Sequence, residues 1–150
     1  MNSVKPSAQS PSFDASGIKP LSVIYVPYTF AGKGYAEWKH FVVLTHQNGH
    51  AICLKTTTQV NYYLGNKSKL LSCVYLKFGT VPEFSQDTIV EPDNQFPIEH
   101  GLIEGAYLNP KFRVFSLPPD FYVMLCEAVQ RSETLKWPPK KRLMEILGMR

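Results

Sequence analysis

The 150-residue sequence contains no apolar run approaching the roughly 20 residues that a membrane-crossing helix needs. It also has no C-x-x-C pair. Its three cysteines, Cys53, Cys73 and Cys126, stand far apart in apolar surroundings. They read as reduced, buried small hydrophobes and not as a zinc ribbon. The opening stretch, MNSVKPSAQSPSFDASG, has no apolar core of the kind a secretory signal carries, so a cytoplasmic location is the expectation. The lysine between glycines in AGKGYAE (31–37) lacks the G-x-x-x-x-G-K-[ST] spacing of a phosphate-binding loop. His46 and His50 flank a turn with no carboxylate or thiolate in reach, so no metal and no cofactor is expected. No internal repeat is visible.

What is present suits one domain with a real core: hydrophobic residues make up 44% and charged residues 19%. Charge is unevenly spread. Residues 32–77 carry Lys33, Lys39, Lys55, Lys67, Lys69 and Lys77 against Glu37 alone. Residues 83–127 hold eight acids against Lys111 and Arg113, and residues 131–150 are basic again. Basic segments flanking an acidic one suit an anionic partner on one surface. Lys33, Lys55, Lys67 and Lys69 are the candidate contacts to it.

Residues 1–19 are rich in Ser and Pro and read as a flexible arm, leaving 20–150 as a single domain. LSVIYVPYTF (21–30) is a strand by composition, with Pro27 marking an edge or bulge. Strands 38–46 and 50–57 flank Asn48-Gly49, the strongest short hairpin signal, because a type I′ turn needs positive φ at both central residues. Residues 58–71 read as a helical turn and loop, and 72–78 as a strand. A strand over 86–92 is expected to end at the turn cluster Pro92-Asp93-Asn94. Residues 94–110 are ambiguous, and 112–117 form a last strand. From about 118 the pattern becomes helical. Phe121, Met124, Leu125, Ala128 and Val129 make one stripe, and Leu143, Ile146 and Leu147 another behind Pro138-Pro139. The helix at about 119–131 must bury its stripe, leaving Lys140, Lys141 and Arg142 in solvent. The fold class is mainly β, closed by C-terminal helices.

A two-residue turn predicts the hairpin ladder: His46 opposite Ala51, Val42 opposite Lys55, Phe41 opposite Thr56 and His40 opposite Thr57. Alternation then sends Phe41, Val43, Thr45, Ile52, Leu54 and Thr56 to the core. His40, Lys55 and Thr57 fall together on the more polar face, with Lys39 at the same strand end but on the other side. Those residue types suit metal-free RNA cleavage. The reaction needs a group to take the 2′-OH proton, one to protonate the leaving 5′ oxygen, and donors for the charged phosphorane. His40, Lys39 or Lys55, and Thr56 or Thr57 are the candidates. A lysine–histidine pair and threonines also occur at solvated strand ends with no such role.

The order SVIYVPYTFAGKG…EWKHFVVLT…HAICLKTTTQ, with QDTIVEPDNQFPIEH, resembles the PemK/MazF-like toxins of the CcdB/PemK fold group over roughly residues 20–105. Lys39-His40 stands where that family carries Arg-Pro, and Thr56-Thr57 where it carries Thr-Ser. Lysine in place of arginine gives up the planar two-pronged phosphate fork. The resemblance implies a small SH3-like β-barrel, usually a homodimer, acting as a metal-independent endoribonuclease on single-stranded RNA and restrained by a cognate antitoxin, protein or RNA. It implies Lys39, His40, Thr56 and Thr57 as the catalytic set. Two other readings share the barrel. One is a non-catalytic RNA-binding module using lysines and the aromatics Tyr35, Tyr62 and Tyr63. The other is a protein-interaction toxin with no nucleic-acid role.

Overall fold

The computed structural model describes residues 13–149, and its centre is one antiparallel sheet. Six strands, β1 (Ser22–Tyr28), β2 (Glu37–Gln47), β3 (His50–Thr57), β4 (Val74–Leu76), β5 (Thr88–Glu99) and β6 (Arg113–Ser116), lie in the order β4-β5-β3-β2-β1-β6. The sheet curls into a half-barrel, so the chain is mainly β as expected, with short helices between the strands as well as the expected ones at the C-terminal end. The α-helices are α1 (Val60–Leu64), α2 (Lys67–Leu71), α3 (His100–Ala106), α4 (Phe121–Arg131) and α5 (Pro139–Ile146), and a 3-10 turn covers Ala15–Gly17. Among the described residues, no helix is long and apolar enough to cross a membrane.

Both faces of the sheet are covered, which is why its strands lack a clean polar–apolar alternation. One face packs Val23, Val42, Leu54 and Val90 against Phe121, Leu125, Ala128 and Val129 of α4 and Leu143 of α5. The predicted helical stripes are therefore the lid of this core. Lys140 is not free in solvent as expected: its ammonium donates to the carbonyls of Gln130 and Ser132, at 3.3 Å each, and so satisfies the C-terminal end of α4. The opposite face packs Ile24, Val26, Phe41, Val43, Cys53 and Ile98 against Ile103 of α3. Residues 1–12 of the expected arm lie outside the described residues. The rest of the arm is packed: Ala15 and Ile18 are buried, and Phe13 stacks on Tyr107 at 4.6 Å.

The Asn48-Gly49 turn forms as the sequence predicts, with φ of 49° and 78°, and Gln47 pairs with His50. Beyond Thr45 the ladder departs from prediction. Leu44 is an extra residue in β2, and past this bulge Val43 pairs with Cys53, Val42 with Leu54 and Phe41 with Lys55. Pro92-Asp93-Asn94 does not end a strand either. β5 continues to Glu99, and these three residues bulge out between the pairs Lys55–Glu91 and Leu54–Gln95. Pro27 lies in β1 beyond the stretch Ser22–Tyr25 that β6 covers, so its missing N–H costs no ladder bond.

Candidate functional site

The bulge at Leu44 redistributes the residues at the far end of the hairpin. A one-residue slip exchanges the faces of everything beyond it. Phe41 opposite Lys55 sets Lys39, Lys55 and Thr57 on one face and His40 with Thr56 on the other. The expected grouping of His40, Lys55 and Thr57 is thus broken, and Lys39 joins Lys55 instead of standing apart from it.

On the second face His40 is enclosed by aromatics. Its ring lies 4.4 Å from Tyr25, 5.1 Å from Phe84 and 6.0 Å from Phe115. Burial, with Arg113 and Lys39 nearby, pushes its pKa down to about 4. The imidazole is therefore neutral near pH 7 and has no proton to give a leaving group. Thr56 is buried, and its hydroxyl donates to the His40 carbonyl at 2.9 Å. That bond closes the strand end and takes Thr56 out of reach of a ligand.

The first face is different in kind. Lys55 Nζ lies 3.8 Å from Glu91 Oε2, its cross-strand partner, and 5.9 Å from the Phe30 ring. Tyr63 of α1 donates to Glu91 Oε1 at 2.5 Å, while Oε2 is buried with no hydrogen bond. Burial, then this bond, raises the tyrosine pKa, so Tyr63 stays a donor. Burial and the charge of Lys55 both lower the pKa of Lys39. Two half-buried ammonium groups thus share this strand end. Thr57 Oγ1 accepts the Gln59 N–H at 3.2 Å, which leaves its own proton free to donate.

The connector between β1 and β2 borders the same end. Gly32 turns it at φ 84°, a conformation glycine adopts without strain. Lys33 pairs with Glu37 at 3.0 Å and stands 5.6 Å from the exposed ring of Tyr35. Lys69 lies over Tyr62 and Tyr63, at 5.4 and 6.0 Å, and opposes the burial that raises the pKa of Asp93. Tyr62 is exposed, whereas Tyr63 is core, so only Tyr35 and Tyr62 of the three tyrosines offer a stacking surface. Lys67 lies apart, on the wall of a groove along β4.

Sequence reasoning missed Glu91 and its link to Tyr63. An acid inside the apolar run TIVEP is a visible signal, but its partner depends on the three-residue bulge at 92–94. His46 and His50 do not converge. His46 donates Nε2–H to the Ile18 carbonyl at 2.7 Å, so its Nδ1 accepts from His100 Nε2 at 2.9 Å. His50 Nδ1 lies 3.0 Å from the Asn48 carbonyl. Among the described residues, no three His, Cys, Asp or Glu side chains are grouped to hold a metal. No protein-family model and no curated protein matches the chain.

Proposed function

We propose that the chain binds single-stranded RNA on a small SH3-like barrel of the CcdB/PemK kind and cuts it as a metal-independent endoribonuclease of a toxin–antitoxin pair. The observation that carries this reading is the lysine pair. Lys39 and Lys55 are held together at a half-buried strand end, and burial and mutual repulsion lower the pKa of Lys39. Glu91, with Oε1 tied to Tyr63 and Oε2 3.8 Å from Lys55, carries one negative charge against the two ammonium groups. A phosphodiester between the ammonium groups would relieve the repulsion.

In this reading the 2′-OH gives its proton to a solvent water as its oxygen attacks phosphorus, and the bond to the 5′ oxygen breaks, leaving a 2′,3′-cyclic phosphate and a 5′-OH. Lys39, its pKa lowered, gives a proton to the leaving oxygen. Lys55 and the Thr57 hydroxyl stabilise the phosphorane. Tyr35 beside Lys33 offers a face on which a flanking base stacks. A homodimer and an antitoxin covering the lysine face belong to the same reading.

A second reading rests on His40. It is the base the chemistry would use, yet it sits beneath Phe84 on the opposite face. The same lysine face would then bind RNA without cutting it. Incubating the purified protein with single-stranded RNA in excess EDTA separates the two. The first predicts fragments with cyclic phosphate and 5′-OH ends, the second bound but intact RNA. Cleavage that needs added Mg²⁺ contradicts the mechanism, because a metal-activated water leaves different ends.

A further inference from the structure

The face of Lys55 and Thr57 runs on into a pocket. Thr57 lies across from Ile89, and Ile89 from Tyr75, so Lys55, Thr57 and Tyr75 share one face of the sheet. Just past Thr57 opens a pocket of about 470 Å³, a size that holds a small ligand or one nucleoside. Thr58, Asn61 and Leu64 line it from the β3–α1 side, and Tyr75, Phe78 and Gln86 from the β4–β5 side. Phe78 is 68% exposed and Leu64 54%, so the pocket carries an apolar patch and not one scattered side chain.

The turn that presents Phe78 is braced. Asp87 Oδ1 accepts the Phe78 N–H at 2.7 Å, Asp87 Oδ2 accepts the Tyr75 hydroxyl at 2.6 Å, and the Thr80 N–H closes on the Lys77 carbonyl at 3.0 Å. Both oxygens of Asp87 are thus occupied, and Lys77 stands near its charge. The carboxylate holds the turn and leaves recognition to its neighbours. Asn61 and Gln86 are exposed, and among the described residues neither carboxamide is hydrogen-bonded.

On the reading that RNA lies on the lysine face, we propose that this pocket reads one adenine of the same strand, next to the phosphate between Lys39 and Lys55. Phe78 stacks on the base, and Asn61 and Gln86 pair with its edge. Single-stranded RNA is read in this way, through splayed bases stacked on aromatic rings and hydrogen-bonded at their edges. A carboxamide holds a donor beside an acceptor, which matches adenine N6–H and N7. The O6 and N7 of guanine call for Arg or Lys, and neither lines the pocket. Thr57 is two residues beyond Lys55, roughly 7 Å along the strand, so phosphate and base sites are within one nucleotide of each other.

Fluorescence anisotropy is measured for labelled uridine decamers carrying a central adenine, guanine or cytosine, beside decauridylate. The adenine decamer should bind about tenfold more tightly than decauridylate. Asn61→Ala/Gln86→Ala should bring it down to the affinity of decauridylate. Phe78→Ala should weaken the adenine decamer about tenfold without changing its salt slope, because stacking and not a phosphate contact is lost. Lys39→Ala/Lys55→Ala should lower both affinities and keep their ratio. An azido-substituted adenine should crosslink to Phe78 or Tyr75, as located by mass spectrometry. Equal affinity for the four decamers, preference for another base, a preference that survives Asn61→Ala/Gln86→Ala, or crosslinks remote from the pocket overturns the proposal while RNA stays on the lysine face. No binding of any decamer removes the RNA reading and the pocket's role with it. A halving of mass by light scattering on Phe78→Ala would make the patch a subunit contact and equally overturn the proposal.

Discussion

His40 offers the sharpest test of how the sheet divides the sequence-predicted site. Between Tyr25 and Phe84 its imidazolium is disfavoured, and its pKa falls from 6.5 to about 4. In the unfolded chain it titrates near its ordinary value, about 6.5. Above pH 6.5 neither state is protonated and His40 carries no pH-dependent penalty. As pH falls from 6.5 to 4 only the unfolded chain takes the proton, so stability declines across that window and levels off below it. A displacement of this size corresponds to at most about 3 kcal/mol. The ring is only half-buried, and solvent screening brings the figure to about 1–2 kcal/mol. Urea denaturation of wild type and His40→Gln at pH 7.5, 5.5 and 4.5 measures it. Wild type should lose that amount relative to the variant, while at pH 7.5 the variant is weaker by about 1 kcal/mol through lost ring contacts. Parallel pH profiles for the two proteins, with the His40 ring titrating by NMR near 6.5, would refute the enclosed position.

Leu125 is fully buried beneath the sheet, so Leu125→Ala should cost about 2–5 kcal/mol in denaturant unfolding. Thr56→Val removes the bond to the His40 carbonyl and should cost about 1 kcal/mol without altering RNA affinity or cutting. Thr57→Val should lower either RNA activity with little change in stability, and RNA assays with melts on both variants separate the two threonines. Burial pushes the Cys53 and Cys73 thiols up to about 12, so a thiol reagent at pH 8 should label only Cys126 in the native protein. Mass spectrometry of the labelled chain checks this, and denaturation should expose the other two.

Local chemistry makes several elements legible in the sequence itself. Asn48-Gly49 dictates its turn, and the stripe from Phe121 to Val129 dictates a helix with one buried face. The lysine-rich first half pointed to the residues that gather at the end of the hairpin. The failures share one physical cause. Leu44 is apolar and fits a regular strand as well as a bulge, so nothing local marks the slip that turns Lys39 toward Lys55 and His40 away. Pro92-Asp93-Asn94 carries every local sign of a turn, yet the pairing of β3 on both sides holds β5 continuous through it. Tertiary pairing decided both sites. Glu91 became visible only once that pairing set it opposite Lys55.

The most direct test of the lysine face is the salt dependence of RNA binding. Affinity of a single-stranded decamer is measured between 50 and 300 mM KCl for wild type, Lys39→Ala/Lys55→Ala and Lys140→Ala/Lys141→Ala. Each lost phosphate contact removes about 0.7 from the log–log slope. The first variant should therefore bind more weakly with a slope shallower by about 1.4, while the second keeps the wild-type slope. An unchanged slope for the first variant, or the loss appearing in the second, would contradict the placement of RNA on the face of Lys39 and Lys55.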